Sequence, residues 1–272
     1  MSSKLDWSER RVRVPATSGN LGCGFDCLGL ALALYNVVSA RFSKQRHRRP
    51  DPGRSAVQVL GEGADLQPTD GTNLLVRSFH SVFSHRRQPA PDVQITVHAR
   101  IPVSRGLGSS AAAVAAGVCL ARDLVSPSLT LEEAITLGNS LEGHPDNVLP
   151  ALVGGITAAF VTHDGKVRWI RLSRGRGLCA LALVPRTTLE TSKARAALPP
   201  RIPMADAVEN LACYQNSYQR VGTVQGLSYS TRFFRWLNIH LPFSFQQETQ
   251  SRGAVLLKPQ FQQSVSAGAD LS

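Results

Sequence analysis

The sequence predicts an α+β protein, and three observations carry that prediction. Period-two alternation typical of strands and three-to-four spacing typical of helices take turns over residues 11–160. Apolar residues form 43% of the chain against 18% charged, a balance that excludes a disordered protein or a coiled coil. The length, 272 residues, suits one large domain or two modest ones, and a chain of this size needs neither disulfides nor a structural metal.

Val12 and Val14 open the first strand, which Pro15 is expected to close because it has no N–H for a sheet ladder. Residues 14–26 then read as a loop of small residues leading into the apolar run Leu28 to Leu34. Ala56 to Leu60 is a short strand. Asn73 is placed to cap a helix whose Leu75, Phe79, Val82 and Phe83 share one face. Val93, Ile95, Val97, Ala99 and Ile101 occupy alternate positions of a half-buried strand. After a glycine-bearing loop, a helix beginning near Ser109 continues through the alanine-rich run Ala111 to Leu124 and stops at Ser126-Pro127. Thr130 and Glu133 form a capping box for a third helix with Leu131, Ala134, Ile135, Gly138 and Leu141 on its buried stripe. Residues 142–148 read as a polar turn. Residues 156–184 return to strand character, and Leu189 to Leu198 is a short helix stopped by Pro199-Pro200. From about Ala212 glutamines and aromatics crowd the sequence and periodicity fades.

With 30 Lys+Arg against 19 Asp+Glu the net charge is +11 and the pI about 10.1, which raises the question of nucleic acid. Arg41, Lys44, Arg46, Arg48, Arg49 and Arg54 fall in one stretch, and Lys166, Arg168, Arg171, Arg174 and Arg176 in another. Neither carries interleaved aromatics for base stacking, so the first reads as a solvated loop and the second as a solvated strand edge. No nucleic-acid partner is expected; weak attraction of polyanions, nucleotides included, is. No run of about 20 apolar residues is present, so no membrane partner is expected. The N-terminus lacks an apolar signal core, and the five cysteines are odd in number and scattered, which together predict a cytoplasmic protein with reduced thiols.

Four segments carry chemistry. In Pro102-Val103-Ser104-Arg105-Gly106-Leu107-Gly108-Ser109-Ser110-Ala111-Ala112 a strand gives way to a glycine loop and then to a helix. Close backbone approach at the glycines, together with the positive end of a helix, makes an anion site, and a serine hydroxyl there can ligate Mg²⁺. An ordinary capped helix after a glycine turn would read the same way. Glu142 comes onto the apolar face when counted from Leu131, and a divalent ion would compensate its charge; the alternative is a helix that frays at Gly143. The loop Val14 to Asp26 offers Asn20 and Asp26 to a small polar substrate. Thr191 and Arg195 lie one helical turn apart and can clamp a carboxylate.

Pro-Ala-Thr-Ser-Gly-Asn-Leu-Gly-Cys-Gly-Phe-Asp at residues 15–26, Gly-Leu-Gly-Ser-Ser-Ala-Ala at 106–112, Glu-Gly-His-Pro-Asp-Asn-Val at 142–148 and Thr-Ser-Lys-Ala-Arg at 191–195 together resemble homoserine kinase, in that family's order. The family belongs to the small-molecule kinases that include galactokinase, mevalonate kinase and phosphomevalonate kinase. The resemblance runs from about Val12 to Leu211. It implies a two-domain fold, with a ribosomal-protein-S5-like N-terminal domain over 1–155 that binds ATP and a ferredoxin-like C-terminal domain over 156–272, atypical from about 212. It also implies ATP-dependent phosphorylation of L-homoserine in threonine biosynthesis. Pro102 to Ala112 would wrap the phosphates, Ser110 and Glu142 would hold Mg²⁺, and Asn73 would contact the nucleoside. Asn20, Asp26 and His144 would hold the amino and hydroxyl end of L-homoserine, and Arg195 its carboxylate. Thr191 and Asn20 would act at the reacting hydroxyl. A homodimer is compatible with the resemblance.

Gly19 and Cys23 replace the family's commoner Ala and Pro, which a tight loop accommodates. The tail departs further. It has neither the second substrate arginine nor the Ser-Gly-x-Gly-Pro loop with which the family ends, and a changed reading frame or altered gene end would explain this. Another kinase of the superfamily and a nucleotide-binding remnant without turnover are therefore the alternatives.

Overall fold

One long strand organises the sheet. The computed structural model describes residues 7–47, 55–172, 180–184, 191–210, 212 and 254–257. Strand β2 (Leu28–His47) is 20 residues long and pairs antiparallel with β1 (Trp7–Gly19) along one edge. Its other edge is shared: residues 37–47 pair antiparallel with β4 (Ala90–Ala99), and residues 28–30 with β5 (Ile156–Val161). β3 (Ala56–Gly61) lies parallel to β4 and β6 (Val167–Leu172) antiparallel to β5, which completes a six-stranded sheet.

Helices α1 (Leu74–His85), α2 (Ser109–Ala121), α3 (Leu131–Glu142) and α4 (Pro145–Val153) pack with this sheet, and α2 touches α1, α3, α4 and β1. Its alanines make it thin enough for that central position. Ala111, Ala112, Val114, Ala115, Ala116, Val118, Leu120 and Ala121 are all buried, so α2 has almost no solvent face. At Gly117 an added Cβ would stand 2.5 Å from the Leu75 carbonyl oxygen and 2.7 Å from the Phe79 nitrogen, so α1 and α2 meet there backbone to backbone. Phe79 and Phe83 of α1 pack beside this contact, ring centroids 5.3 Å apart, each burial contributing about 1.5–3 kcal/mol.

Several elements match expectation. Asn73 caps α1 by accepting from the Leu75 N–H at 2.9 Å, and Thr130 with Glu133 forms the capping box of α3. β3, β4 and the start of α2 fall where periodicity and glycine placed them. Others are corrected. β1 does not stop at Pro15 but continues to Gly19, so the loop expected over 14–26 is shorter. The proline's missing N–H falls at a register shift, where the partner changes from Tyr35 for Pro15 to Leu32 for Ala16. Arg41, Lys44 and Arg46 are not in a loop but on β2, their side chains exposed around the buried pair Phe42 and Ser43; Arg48, Arg49 and Arg54 lie outside the described residues. Arg168 and Arg171 do line an exposed edge strand, while Arg174 and Arg176 lie outside the described residues. The stripe of α3 holds at Ala134, Ile135 and Gly138, with Asn139 buried beside it, while Leu131 at its start is 38% exposed. Residues 142–148 are not a turn. α3 ends at Gly143 (φ 91°), and α4 starts immediately with His144 at its N-cap and Pro145 in its first turn.

β5 and β6 follow the expected domain boundary at 155 yet hydrogen-bond into the same sheet as β2. Beyond them, β7 (Ala180–Leu183) pairs antiparallel with β8 (Ala254–Leu257) in a separate two-stranded sheet. α5 (Thr191–Ala196) realises the short helix expected over 189–198, and residues 204–210 are also helical. The fold is thus mixed α/β, with an N-terminal sheet-and-helix unit and a C-terminal sheet that is not closed among the described residues. The expected reading-frame anomaly concerns a tail that lies almost wholly outside the described residues. Among the described residues Cys23, Cys27 and Cys119 form no disulfide; burial pushes the Cys119 thiol up to about 11, so it is protonated at neutral pH. Cys179 and Cys213 lie outside the described residues. Among the described residues no helix is long and apolar enough to cross a membrane.

Two outcomes follow from the packing and the capping box. Gly117→Val forces α1 off α2 and is expected to cost about 1–3 kcal/mol, read as a lowered urea midpoint; an unchanged midpoint refutes the close approach. Glu133 is held down to about 2, from an ordinary 4.5, first by the Thr130 N–H and then by Arg86. Its depressed pKa makes its contribution complete above 4.5 and progressively lost as pH falls toward about 2. The gap in thermal midpoint between the parent and Glu133→Gln should therefore close over that acid window, and a gap independent of pH would contradict the assignment.

Candidate active site

β4 leads through buried Ile101 into the glycine loop. Three residues of that loop lie in the left-handed region, Ser104 at φ 55°, Gly106 at 73° and Gly108 at 63°. This sequence of turns throws the chain outward and returns it into α2. Around Gly106 an added Cβ would meet nothing within 4 Å among the described residues, which leave the outer side of the bend open. Leu107 anchors the bend from within, 6% exposed, and Val103 packs against Gly63, while Pro102, Ser104 and Arg105 are half-buried. Gly108 is the N-cap of α2 and supplies no side-chain cap, so the first-turn N–H groups keep no partner from that position. Of the first four helical residues, Ser109 is half-buried, Ser110 exposed, and Ala111 and Ala112 fully buried.

The first turn of α2 meets the last residue of α3. Ser110 Oγ donates to Glu142 Oε1 at 2.6 Å. Neither of the two sequence alternatives for Glu142 is met in full: the helix stops at Gly143, but the carboxylate is partly covered and engaged.

A second group of residues gathers beside it. Asn20 (φ 55°) and Asp26 (φ 54°) both adopt left-handed backbone, and Asn20 Oδ1 accepts from the Asp26 N–H at 2.9 Å, which fixes the loop. Arg195, from α5, grips both oxygens of Asp26, one contact being Nη1 to Oδ2 at 3.1 Å and the other Nη2 to Oδ1. Its guanidinium carbon also stands 5.3 Å from the centre of the Phe25 ring. His144 Nδ1 lies 2.6 Å from Asp146 Oδ1. Asp146 is fully buried, and its Oδ2 has no hydrogen-bond partner among the described residues. Side-chain ligand atoms of Asp26, His144 and Asp146 lie within 4.8 Å of one another.

The electrostatics join the two groups. Donation from the imidazole to the Asp146 carboxylate raises His144 above its ordinary 6.5, burial and Arg195 oppose this, and Glu142 reinforces it. The hydrogen-bonded Asp26 carboxylate raises Arg195 above its ordinary value. Burial, then Asp26, then Asp146, pushes the Cys27 thiol up.

The chain thus brings together Asn20, Asp26, His144 and Arg195, and separately Ser110 and Glu142 at the glycine loop. Asn73 is placed differently. It is 3% exposed, and its amide is engaged by the Leu75 N–H and the Pro68 carbonyl, so its side chain works as a helix cap. Thr191 is exposed at the first position of α5, one turn before Arg195. Three residues were not singled out from sequence. Thr17 is fully buried; its N–H donates to Leu107 O at 3.1 Å and its hydroxyl to Asn147 Oδ1 at 2.9 Å, while an added Cβ on Gly108 would fall 2.0 Å from that hydroxyl. Asn147 and Asp146 follow a Pro at the start of α4, a helix-start signal that equally fits a turn.

The donor set has a definite chemistry. An open glycine bend before an uncapped N-terminus of a thirteen-residue helix suits a phosphate chain. Adjacent hydroxyl and carboxylate oxygens suit a hard divalent cation that retains water.

Comparison with known proteins agrees with this chemistry. The family model described as GHMP kinases N terminal domain matches residues 73–155. A homoserine kinase of Clavibacter michiganensis subsp. michiganensis is 43% identical over 215 residues, covering 78% of this chain and 66% of that protein. A structure from Listeria monocytogenes, described as a candidate homoserine kinase, is 31% identical with a TM-score of 0.60, covering 79% of this chain and 68% of that one. A homoserine kinase structure from Cytophaga hutchinsonii is 26% identical with a TM-score of 0.63, covering 78% and 66%. The chain spans slightly less than two thirds of the length of the curated relatives it matches.

Gly29 on β2 provides a check on how the site is braced. An added Cβ there would lie 1.7 Å from the Asp146 carbonyl oxygen, a backbone atom that cannot rotate away. Gly29→Ala is expected to cost about 1–3 kcal/mol, lowering the thermal midpoint by about 2–4 °C per kcal/mol. A parent-like midpoint would show that α4 does not seat on β2 at this point.

Proposed function

From the premise that this chain belongs to the GHMP kinase superfamily, closely related to the homoserine kinases, we propose that it transfers the γ-phosphoryl group of ATP to the side-chain hydroxyl of L-homoserine. One observation carries the reading. The Gly106–Gly108 bend opens the buried helix α2, with the Ser110–Glu142 contact at its first turn.

In this reading Pro102 to Ala112 cradle the triphosphate, with backbone N–H groups and the helix N-terminus facing it and Arg105 near enough along the loop to add positive charge. Ser110 and Glu142 would hold Mg²⁺, which when bound neutralises phosphate charge. Asn73 would border the nucleoside while serving as the cap of α1. Asn20, Asp26 and His144 hold the amino and hydroxyl end of the amino acid, and Arg195 its carboxylate. Thr191 and Asn20 act at the reacting hydroxyl. Holding the hydroxyl against the phosphate and balancing charge supply most of what phosphoryl transfer requires. The same reading assigns the N-terminal unit to the ribosomal-protein-S5-like type and the C-terminal portion to an altered ferredoxin-like domain.

The test is ADP release by the purified chain with ATP, Mg²⁺ and L-homoserine. ADP release that depends on homoserine is expected. Release with mevalonate or a sugar alcohol but not homoserine would move the chain to another kinase of the superfamily, and ATP binding without turnover would make it a non-catalytic relative. Glu142→Gln should lower turnover about tenfold or more with an unchanged thermal midpoint; full turnover would remove Glu142 from the metal site.

A further inference from the structure

The pocket assigned to the amino acid already contains an ion pair. Asp26 and Arg195 are 169 positions apart in sequence, yet the guanidinium meets both carboxylate oxygens in a fork. Their side chains are 32% and 35% exposed, so the pair is only half solvated. Asp26 cannot easily move, because its left-handed backbone is tied to Asn20. Arg195 sits on a six-residue helix, its guanidinium over the exposed edge of Phe25, with several side-chain torsions free to redirect it. Beside the pair, the buried Asp146 Oδ2 has no partner among the described residues.

We infer that Asp26 and Arg195 form an internal latch, occupying each other's ligand subsites until a molecule carrying both an ammonium and a carboxylate exchanges with them. The inference rests on the functional reading above and adds the rule by which the site selects its substrate. A ligand with only a carboxylate can take Arg195, but it leaves Asp26 uncompensated. A ligand with only an ammonium can take Asp26, but it strands Arg195. Either exchange sacrifices a bidentate, charge-assisted contact to form another, and leaves a half-buried charge unpaired. A zwitterion converts one ion pair into two, its ammonium reaching Asp26 with the unpartnered Asp146 oxygen close by. Such a ligand gains most from the opened state, so it shifts the equilibrium furthest. The latch rejects hydroxy acids and amino alcohols of the right length without steric exclusion.

The experiment measures binding to the full chain by calorimetry, with L-homoserine, 4-hydroxybutyrate (no ammonium) and 3-aminopropan-1-ol (no carboxylate) as probes. For the parent, homoserine binds, and each singly charged compound binds at least about a hundredfold more weakly. In Asp26→Asn, homoserine binding weakens while 4-hydroxybutyrate binding improves at least about tenfold, because Arg195 is released. Arg195→Gln gives the mirror result, a gain for 3-aminopropan-1-ol, and serves where Asp26→Asn does not fold. A pocket of independent contacts would leave the affinity of 4-hydroxybutyrate unchanged in Asp26→Asn. That result, or a singly charged compound binding the parent nearly as well as homoserine, overturns the latch while leaving the kinase reading standing. Absence of homoserine binding to the parent removes the kinase reading, and the latch with it.

Discussion

Thr17 is the contact on which the architecture of the site depends. Its backbone N–H reaches the glycine loop at Leu107, its hydroxyl reaches Asn147 at the start of α4, and Gly108 presses against it where any side chain would collide. Three segments distant in sequence are thereby tied at one fully buried residue. A buried hydroxyl with its bonds made contributes only about 1 kcal/mol net, but one left unsatisfied costs about 1–3 kcal/mol, so the arrangement resists partial loosening. The glycine loop, the uncapped start of α2 and the His144–Asp146 pair take their relative positions from this junction.

Local pattern made much of the fold legible. Asn73, the Thr130–Glu133 box and the alternation from Val93 to Ile101 each specify an element through contacts within a few residues, and the structure forms all three, the strand ending at Ala99 with Ile101 buried just beyond it. Where chemistry is ambiguous the sequence misleads. Pro145, Asp146 and Asn147 suit the first turn of a helix as well as a reverse turn, and only packing against β1 and β2 decides. The basic stretch from Arg41 looked like a loop because its charges are conspicuous, yet on a strand they need only stay on solvated positions beside Phe42.

The residues of the site were legible one by one and their relations were not. Nothing local in Glu142 announces the hydroxyl of Ser110, and nothing in Asp26 announces Arg195, because both pairs are made by tertiary approach. Asp146 stands in the 142–148 motif without a role of its own, because a buried carboxylate cannot be told from an exposed one by its neighbours in the chain. Asn73 shows the reverse, a residue whose local role as a cap is plain and already engages its amide at both ends.

The register shift in β1–β2 has an implication for how this family of strands can change. One step along β1, from Pro15 to Ala16, answers three steps along β2, from Tyr35 to Leu32, so the surplus on β2 is two residues. An even surplus preserves side-chain parity, and Leu32 accordingly faces inward like Val38, Ala40 and Phe42 on the far side of the irregularity. Length variation at residues 33–35 is thus quantised: a pair gained or lost leaves both halves of β2 correctly oriented, whereas a single insertion would turn one half inside out.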